Sequence, residues 1–298
     1  MDLDNIKTFV TVANLGNYTK AAEELNYAQS TITSQIQQLE QELKFPLFER
    51  IGRKNYLTAG GQEFLPHAVE IMHILQKGKT AGQAPGDVEG TLRIGVLESL
   101  IFAGVLGVLP DFRNEYPKVD VMLKMGQASD LLELLRQNQV DFIYISNSPS
   151  VDPSIICAYS RREEMAFMAD STHPLVGRKG ISMEEVFSYP FVVAEKTGRC
   201  YGRLMELAAE HKMPVHSSVM VDNLPAISRL LRDGQSVTFL AEYAMEEDIL
   251  AGRLAKLDVD YPAQAYYSQI LYHKNKYLAP YMLSFIEHIR QYRPETDD

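Results

Sequence analysis

Between Lys77 and Gly90 the chain reads KGKTAGQAPGDVEG, and the hydrophobic period differs on its two sides. Glycines and small residues over that length offer neither a helical stripe nor a strand alternation, so the run is a linker and a domain boundary. Before it, apolar residues recur at helical spacing. From Thr91 onward, short apolar runs alternate with helical segments. A chain of 298 residues has room for two or three domains. The expected fold class is therefore α+β and multi-domain.

Ahead of the linker, Leu3, Ile6, Phe9, Val10 and Ala13 form one helical stripe, ended by Asn14 to Asn17 around Gly16. Thr19 is placed to cap a second helix, KAAEEL, whose apolar face is Ala21, Ala22 and Leu25. After a turn at NYAQ, the segment AQSTITSQIQQLEQEL sets Ile32, Ile36, Leu39 and Leu43 on one stripe. One side of it carries almost nothing but hydroxyl and amide groups: Ser30, Thr31, Thr33, Ser34, Gln35, Gln37 and Gln38. Ser and Thr are mediocre helix formers, and a plain surface helix carries Lys and Glu instead. Three short helices with a tight turn before the third make a helix-turn-helix. Its third helix buries one stripe and offers the other to the major groove, where compact donors and acceptors read base edges. A solvated polar helix is the plainer alternative.

PLFERIGRKNYLT reads as two short strands, around Leu47–Glu49 and Tyr56–Thr58, joined by a turn containing Gly52. Arg50, Arg53 and Lys54 sit at its tip, which makes it a wing whose cations meet phosphates or enter the minor groove. The whole chain carries a net charge of −10, which argues against wrapping nucleic acid. Residues 1–58 hold six basic and seven acidic side chains, so a near-neutral head precedes an acidic body. These residues form a winged helix-turn-helix domain. Residues 59–90 are a linker helix and hinge, capped by Thr58, with Phe64, Ala68, Ile71, Met72 and Leu75 as an apolar seam and Pro66 inside it. A second copy of the helix is the simplest cover for that seam, hence a homodimer; packing on its own chain is the alternative.

Residues 91–298 alternate strands and helices, which predicts parallel sheets covered by helices. Two such sets with a late return strand predict two lobes: lobe I at about 91–161 and 267–298, lobe II at about 162–266. Open α/β sheets bind ligands at the carboxyl ends of strands, beside helix N-termini. Glu98 and Ser99, Gln127 and Ser129, Ser146 and Asn147, and Thr197 with Arg199 occupy such places. Ser99, Ser129 and Thr197 suit a carboxylate, although a Ser such as Ser129 serves equally as a helix cap. Glu98 disfavours an anion and suits an amino group, as in an amino acid.

These residues resemble the LysR-type transcriptional regulators along the whole chain. The resemblance is carried by TFVTVANLGNYTKAAEELNYAQSTITSQIQQLEQELKFPLFERIGRKNYLTAGG, and more loosely by LRIGVLES, LPDFRNEYPKVDVML, DFIYI, ADSTHPL and LLRDGQSVTFLAE. It implies promoter binding, usually as a dimer of dimers, and a C-terminal domain like a type 2 periplasmic binding protein with a small effector between its lobes. By position it implies DNA contacts at Gln29, Ser30, Thr33, Ser34 and Gln35, with Arg50 and Arg53 on phosphates. Ala28 stands where the family often has a capping Ser, and Ser34 where it often has Arg, which implies weaker nonspecific binding.

Other classes find less support. There is no G-x-S-x-G elbow, P-loop, G-x-G-x-x-G after a strand or H-E-x-x-H, so neither an enzyme nor a cofactor is expected. Cys157 and Cys200 are the only cysteines. They allow a thiol-sensing alternative in which Arg199 activates Cys200, but two unpaired thiols of a reducing cytoplasm are the commoner case. A solute-binding protein would explain the lobes but not the first 58 residues. No apolar stretch reaches the length of a membrane span, so no membrane partner is expected.

Overall fold

The computed structural model describes residues 1–51, 54–80, 82, 84–147, 152–194, 198–262 and 266–294. The head consists of α1 (Leu3–Leu15), α2 (Tyr18–Leu25) and α3 (Gln29–Leu43), followed by the antiparallel hairpin β1 (Phe48–Ile51) and β2 (Lys54–Leu57). The wing strands thus lie one to two residues nearer the turn than the sequence pattern suggested. Ile6, Phe9, Val12, Ala21, Ala22, Ile32, Ile36, Leu39 and Leu47 form the buried core of this unit. Asn17, not Thr19, caps α2: its Oδ1 accepts from the N–H groups of Thr19 (2.8 Å) and Lys20 (3.1 Å). Asn17 has extended backbone and stands one residue before the helix, so its side chain faces the unpaired N–H groups, while Thr19 is already helical. α3 starts after Ala28 with no side-chain cap, a loss of about 1 kcal/mol relative to Ser. Glu40 Oε1 leaves α3 to accept from Leu47 N at 2.7 Å and Phe48 N at 3.3 Å, and so ties the wing to the third helix.

The expected cap at Thr58 is present: its Oγ1 accepts from Gly61 N at 3.0 Å and opens α4 (Ala59–Thr80). A side chain at Gly61 would place Cβ 2.2 Å from the Leu47 carbonyl oxygen, so the helix can approach the wing this closely only with glycine there. The first half of the α4 seam packs on its own head. Leu65 and Ala68 are buried, Phe64, Ile71 and Met72 are partly covered, and the Phe64 ring lies 5.4 Å from Phe9. Ile74, further along, is 65% exposed.

Ten strands follow among the described residues: β3 (Gly90–Val96), β4 (Val119–Met125), β5 (Phe142–Asn147), β6 (Ile155–Glu163), β7 (Met165–Asp170), β8 (Phe191–Val193), β9 (Ser217–Met220), β10 (Val237–Ala241), β11 (Leu254–Lys256) and β12 (Tyr266–His273). They make two five-stranded sheets, β4-β3-β5-β12-β6 in lobe I and β11-β7-β10-β8-β9 in lobe II. The expectation of parallel sheets is corrected: both are mixed. β12 runs antiparallel to β5 and β6, and β7 antiparallel to β10 and β11. The reason is that the chain crosses between lobes twice. β6 leaves lobe I at Glu163, β12 re-enters beside it with Tyr266 opposite Glu163, and the returning strand must run the other way. β6 itself escapes the sequence reading. It is an edge strand with a mostly exposed or half-exposed residue pattern, so it shows no clean alternation.

The helices of this part are α5 (Glu98–Leu100), α6 (Leu106–Glu115), α7 (Ala128–Arg136), α8 (Met183–Phe187), α9 (Arg199–Glu210), α10 (Leu224–Leu230), α11 (Glu246–Leu250) and α12 (Pro280–Tyr292); a π-helical turn, Ile101–Val105, joins α5 to α6. At the hinge, Arg293 is 4% exposed. Its Nη2 lies 3.0 Å from Glu163 Oε1, its Nη1 donates to Ala103 O at 3.1 Å, and its guanidinium sits 5.0 Å from the Tyr243 ring centre. The head touches lobe I where Asn138 Nδ2 donates to Glu24 Oε1 at 3.1 Å. Behind Asn138, the buried Asp141 carboxylate is shared by Arg93 (2.9 Å) and Lys276 (2.6 Å). No described helix is long and apolar enough to cross a membrane.

Candidate functional site

Two surfaces gather the predicted residues. The first is the outer face of α3. Ile32, Ile36 and Leu39 anchor the helix in the core, which turns Ser30, Thr31, Ser34, Gln37 and Gln38 outward, where they are exposed. Gln29 is exposed too, and its Oε1 accepts from Thr19 Oγ1 at 3.3 Å. Two of the predicted reading residues are turned inward instead. Gln35 is half-buried and its Oε1 accepts from the buried Thr8 hydroxyl at 2.7 Å, because it lies next to the Ile32–Ile36 stripe and faces α1. Thr33 Oγ1 donates back to Gln29 O at 3.0 Å, the bond a helical Thr makes with its own preceding turn. On the wing, Arg50 is exposed on β1, opposite Asn55. Arg53 lies outside the described residues; of Lys54 the strand backbone is described but the side chain is not.

The second surface is a cavity of about 480 Å³ between the lobes, a size suited to a small organic ligand. Glu98, Ser99, Gln127, Ser146 and Arg199 line it as the sequence suggested. Ser129 does not: it is exposed on the first turn of α7, one residue beyond Ala128, and its side chain points to solvent. Thr197 lies outside the described residues, as does the side chain of Asn147.

The cavity also recruits residues that the sequence reading missed. Tyr243 Oη lies 3.3 Å from Ser99 Oγ, and Asn223 Nδ2 donates to Glu98 Oε1 at 3.2 Å. Both contacts join lobe I to lobe II. Tyr266, from the start of β12, is 2% exposed, and its Oη is buried without a hydrogen-bond partner. Burial pushes the Tyr243 and Tyr266 phenols well above the ordinary value, so both remain neutral donors. Cys200 borders the same space. Burial pushes its thiol up to about 11, so the reactive thiolate is scarce despite the neighbouring Arg199. Cys157 stands apart, exposed on the β6 edge, and the two cysteines form no disulfide. No cluster of potential metal ligands occurs among the described residues.

The family model for the bacterial lysR-family regulatory helix-turn-helix matches residues 3–62, and that for the LysR substrate binding domain matches residues 85–294. The chain belongs to the LysR family. It is a DNA-binding transcriptional regulator with an effector-binding domain, and the family consists of regulators rather than enzymes. Among its relatives, the HTH-type transcriptional activator CmpR of Synechocystis sp. is 29% identical over 96% of this chain and 94% of its own length. The HTH-type transcriptional regulator GltR of Bacillus subtilis is 25% identical over 98% and 97%. A full-length OxyR from Pseudomonas aeruginosa has the same fold, with a TM-score of 0.64 at 19% identity over 100% of this chain and 98% of that one. The LysR-family regulator CbnR, solved with its target DNA, has a TM-score of 0.53 at 20% identity over 98% and 99%. In this LysR-type regulator, the residues missed in the cleft carried no local signal. Tyr243, Tyr266 and Asn223 come from three segments that meet only at the hinge.

Proposed function

We propose that this regulator binds promoter DNA as a homodimer, paired again into a tetramer, and that a small zwitterion such as an amino acid settles between its lobes. Ser30, Ser34 and Gln29 read base edges in the major groove, while Arg50, Arg53 and Lys54 hold phosphates. The dimer reading is supported by apolar side chains left in water: Ile74 on α4, Met122 and Met125 on β4, and Val219 and Met220 on β9. Both are edge strands of their sheets, where a second copy can cover them. The protein works where DNA and metabolites meet, in the cytoplasm.

The observation that carries the effector reading is the buried Tyr266 hydroxyl, which a ligand oxygen would satisfy. An ammonium suits the mouth beside Glu98 and Asp222, and a carboxylate suits Arg199 and Ser99. Such a ligand competes with the Glu98–Asn223 and Ser99–Tyr243 contacts. It therefore favours one lobe arrangement over another, which is the condition for control.

The test has two parts. A random duplex library enriched on the purified protein at physiological salt should yield an interrupted palindrome; recovery of no motif overturns the dimeric reading. A thermal-shift panel of amino acids against plain monocarboxylates should favour the amino acids. Equal shifts, or shifts retained in Glu98→Gln, overturn the zwitterion.

A further inference from the structure

A second cavity, of about 660 Å³, lies between the lobes next to the first. Leu224, Tyr243 and Ala244 line both, so they form the partition. The chemistry changes across that wall. The first cavity has one arginine and two carboxylates, whereas the second has five arginines and three carboxylates. Two of those arginines are committed: Arg253 to Asp248, and Arg293 to Glu163.

The other three are held less firmly, Arg161 reaching Glu163 only at 4.0 Å. Arg229 makes no ion pair or hydrogen bond among the described residues, and Arg232 has no carboxylate within salt-bridge reach among them. Arg161 keeps a buried Nε without a hydrogen-bond partner, 4.0 Å from Glu163 Oε1. Arg161 belongs to β6 of lobe I; Arg229 and Arg232 belong to α10 and the turn after it in lobe II. Guanidiniums gathered around one concavity repel each other unless an anion lies among them. Their planar forks match oxyanion groups in pairs.

We propose that this cavity binds a small polyanion bearing at least two phosphate or carboxylate groups, held by Arg161 from one lobe and Arg229 and Arg232 from the other. The site is separate from the zwitterion cleft and stands whether or not that reading does. Such a ligand bridges the lobes by charge, and its binding weakens as salt rises.

Inorganic pyrophosphate titrated into the full-length protein without DNA tests this by calorimetry, with citrate as the carboxylate arm. Saturable binding of one anion per chain is expected. Arg229→Gln and Arg161→Gln should each weaken it about tenfold. Arg229 is exposed, so its variant tests the site without endangering the fold. Arg50→Gln, on the wing, should leave binding unchanged. Whether pyrophosphate or citrate binds more tightly assigns the ligand to phosphates or to carboxylates, and either order supports a polyanion site. Absence of binding by both, unchanged affinity in Arg229→Gln, or loss confined to Arg50→Gln overturns the proposal.

Discussion

The head and the cleft use the same chemical groups in opposite solvents. On α3, Ser30, Ser34, Gln37 and Gln38 stand in water. In the cleft, the Tyr266 hydroxyl is dry and unpaired. A hydrated hydroxyl exchanges water for a base edge at little net gain, so it contributes discrimination more than affinity. A dry one already carries a desolvation penalty of about 1–3 kcal/mol, which a well-placed ligand removes. On the proposed function, the same donors would give sequence register on one surface and binding strength on the other.

The largest expected effect comes from the buried ion pair at the hinge. Glu163→Ala removes the close, buried carboxylate of Arg293 and leaves it only the more exposed Glu246 at 3.9 Å. Urea denaturation should show a loss of about 3–5 kcal/mol. Breaking the exposed Arg178–Glu185 pair should cost less than about 1 kcal/mol. Equal losses from the two would break the contrast at its root.

Tyr266→Phe should do the reverse. Deleting an unpaired buried hydroxyl should stabilise the effector-free protein by about 1–3 kcal/mol while abolishing its response to effector. The idea would be falsified if the variant lost stability in the same denaturation experiment.

Asp141 tests a dry carboxylate that is well paired. Burial pushes its carboxyl up, but Lys276 and the Arg93 hydrogen bond outweigh burial and hold it below its ordinary value of 3.8. A carboxyl depressed by folding stabilises the native state above its unfolded pKa, and that contribution disappears as pH falls through the lower folded value. Stability measured from pH 7 down should therefore drop in acid below about pH 4, and Asp141→Asn should flatten that part of the curve. An unchanged acid slope in the variant would remove Asp141 from the account.

The smallest effect belongs to the wet face. Ser34→Ala should change stability by no more than about 0.5 kcal/mol. It should still cost about 1–3 kcal/mol of preference at one base pair, read as relaxed selection at that position of the enriched motif. A uniform loss across all positions would place Ser34 on the phosphates.

This difference in solvent also decides what the sequence revealed. The α3 stripe is local, so Ile32, Ile36 and Leu39 announce both the buried side and, by exclusion, the reading face. Period alone did not separate Ser34 from Gln35, because whether a flank residue faces α1 depends on Thr8, which lies 27 residues away. In the cleft, strand ends marked Glu98, Ser99 and Ser146. Ser129 occupies an equivalent-looking place after β4, and only the rotation of α7 directs it to solvent. Tyr266 looks like an ordinary strand aromatic; its hydroxyl matters only because β12 enters the sheet at the hinge. β6 was missed for the same kind of reason, since an exposed edge strand needs no alternation.

The path of the chain through the hinge has a consequence during synthesis. Lobe II is one uninterrupted stretch between β6 and β12, whereas lobe I has its fourth strand inserted last, between two strands made long before. As the polypeptide leaves the ribosome, lobe II can close while lobe I still lacks the strand beside β5. Nascent chains stalled before Tyr266 should then resist protease in lobe II and be cut in lobe I. The newborn regulator would have a finished head and an unfinished sensor until the last thirty or so residues emerge.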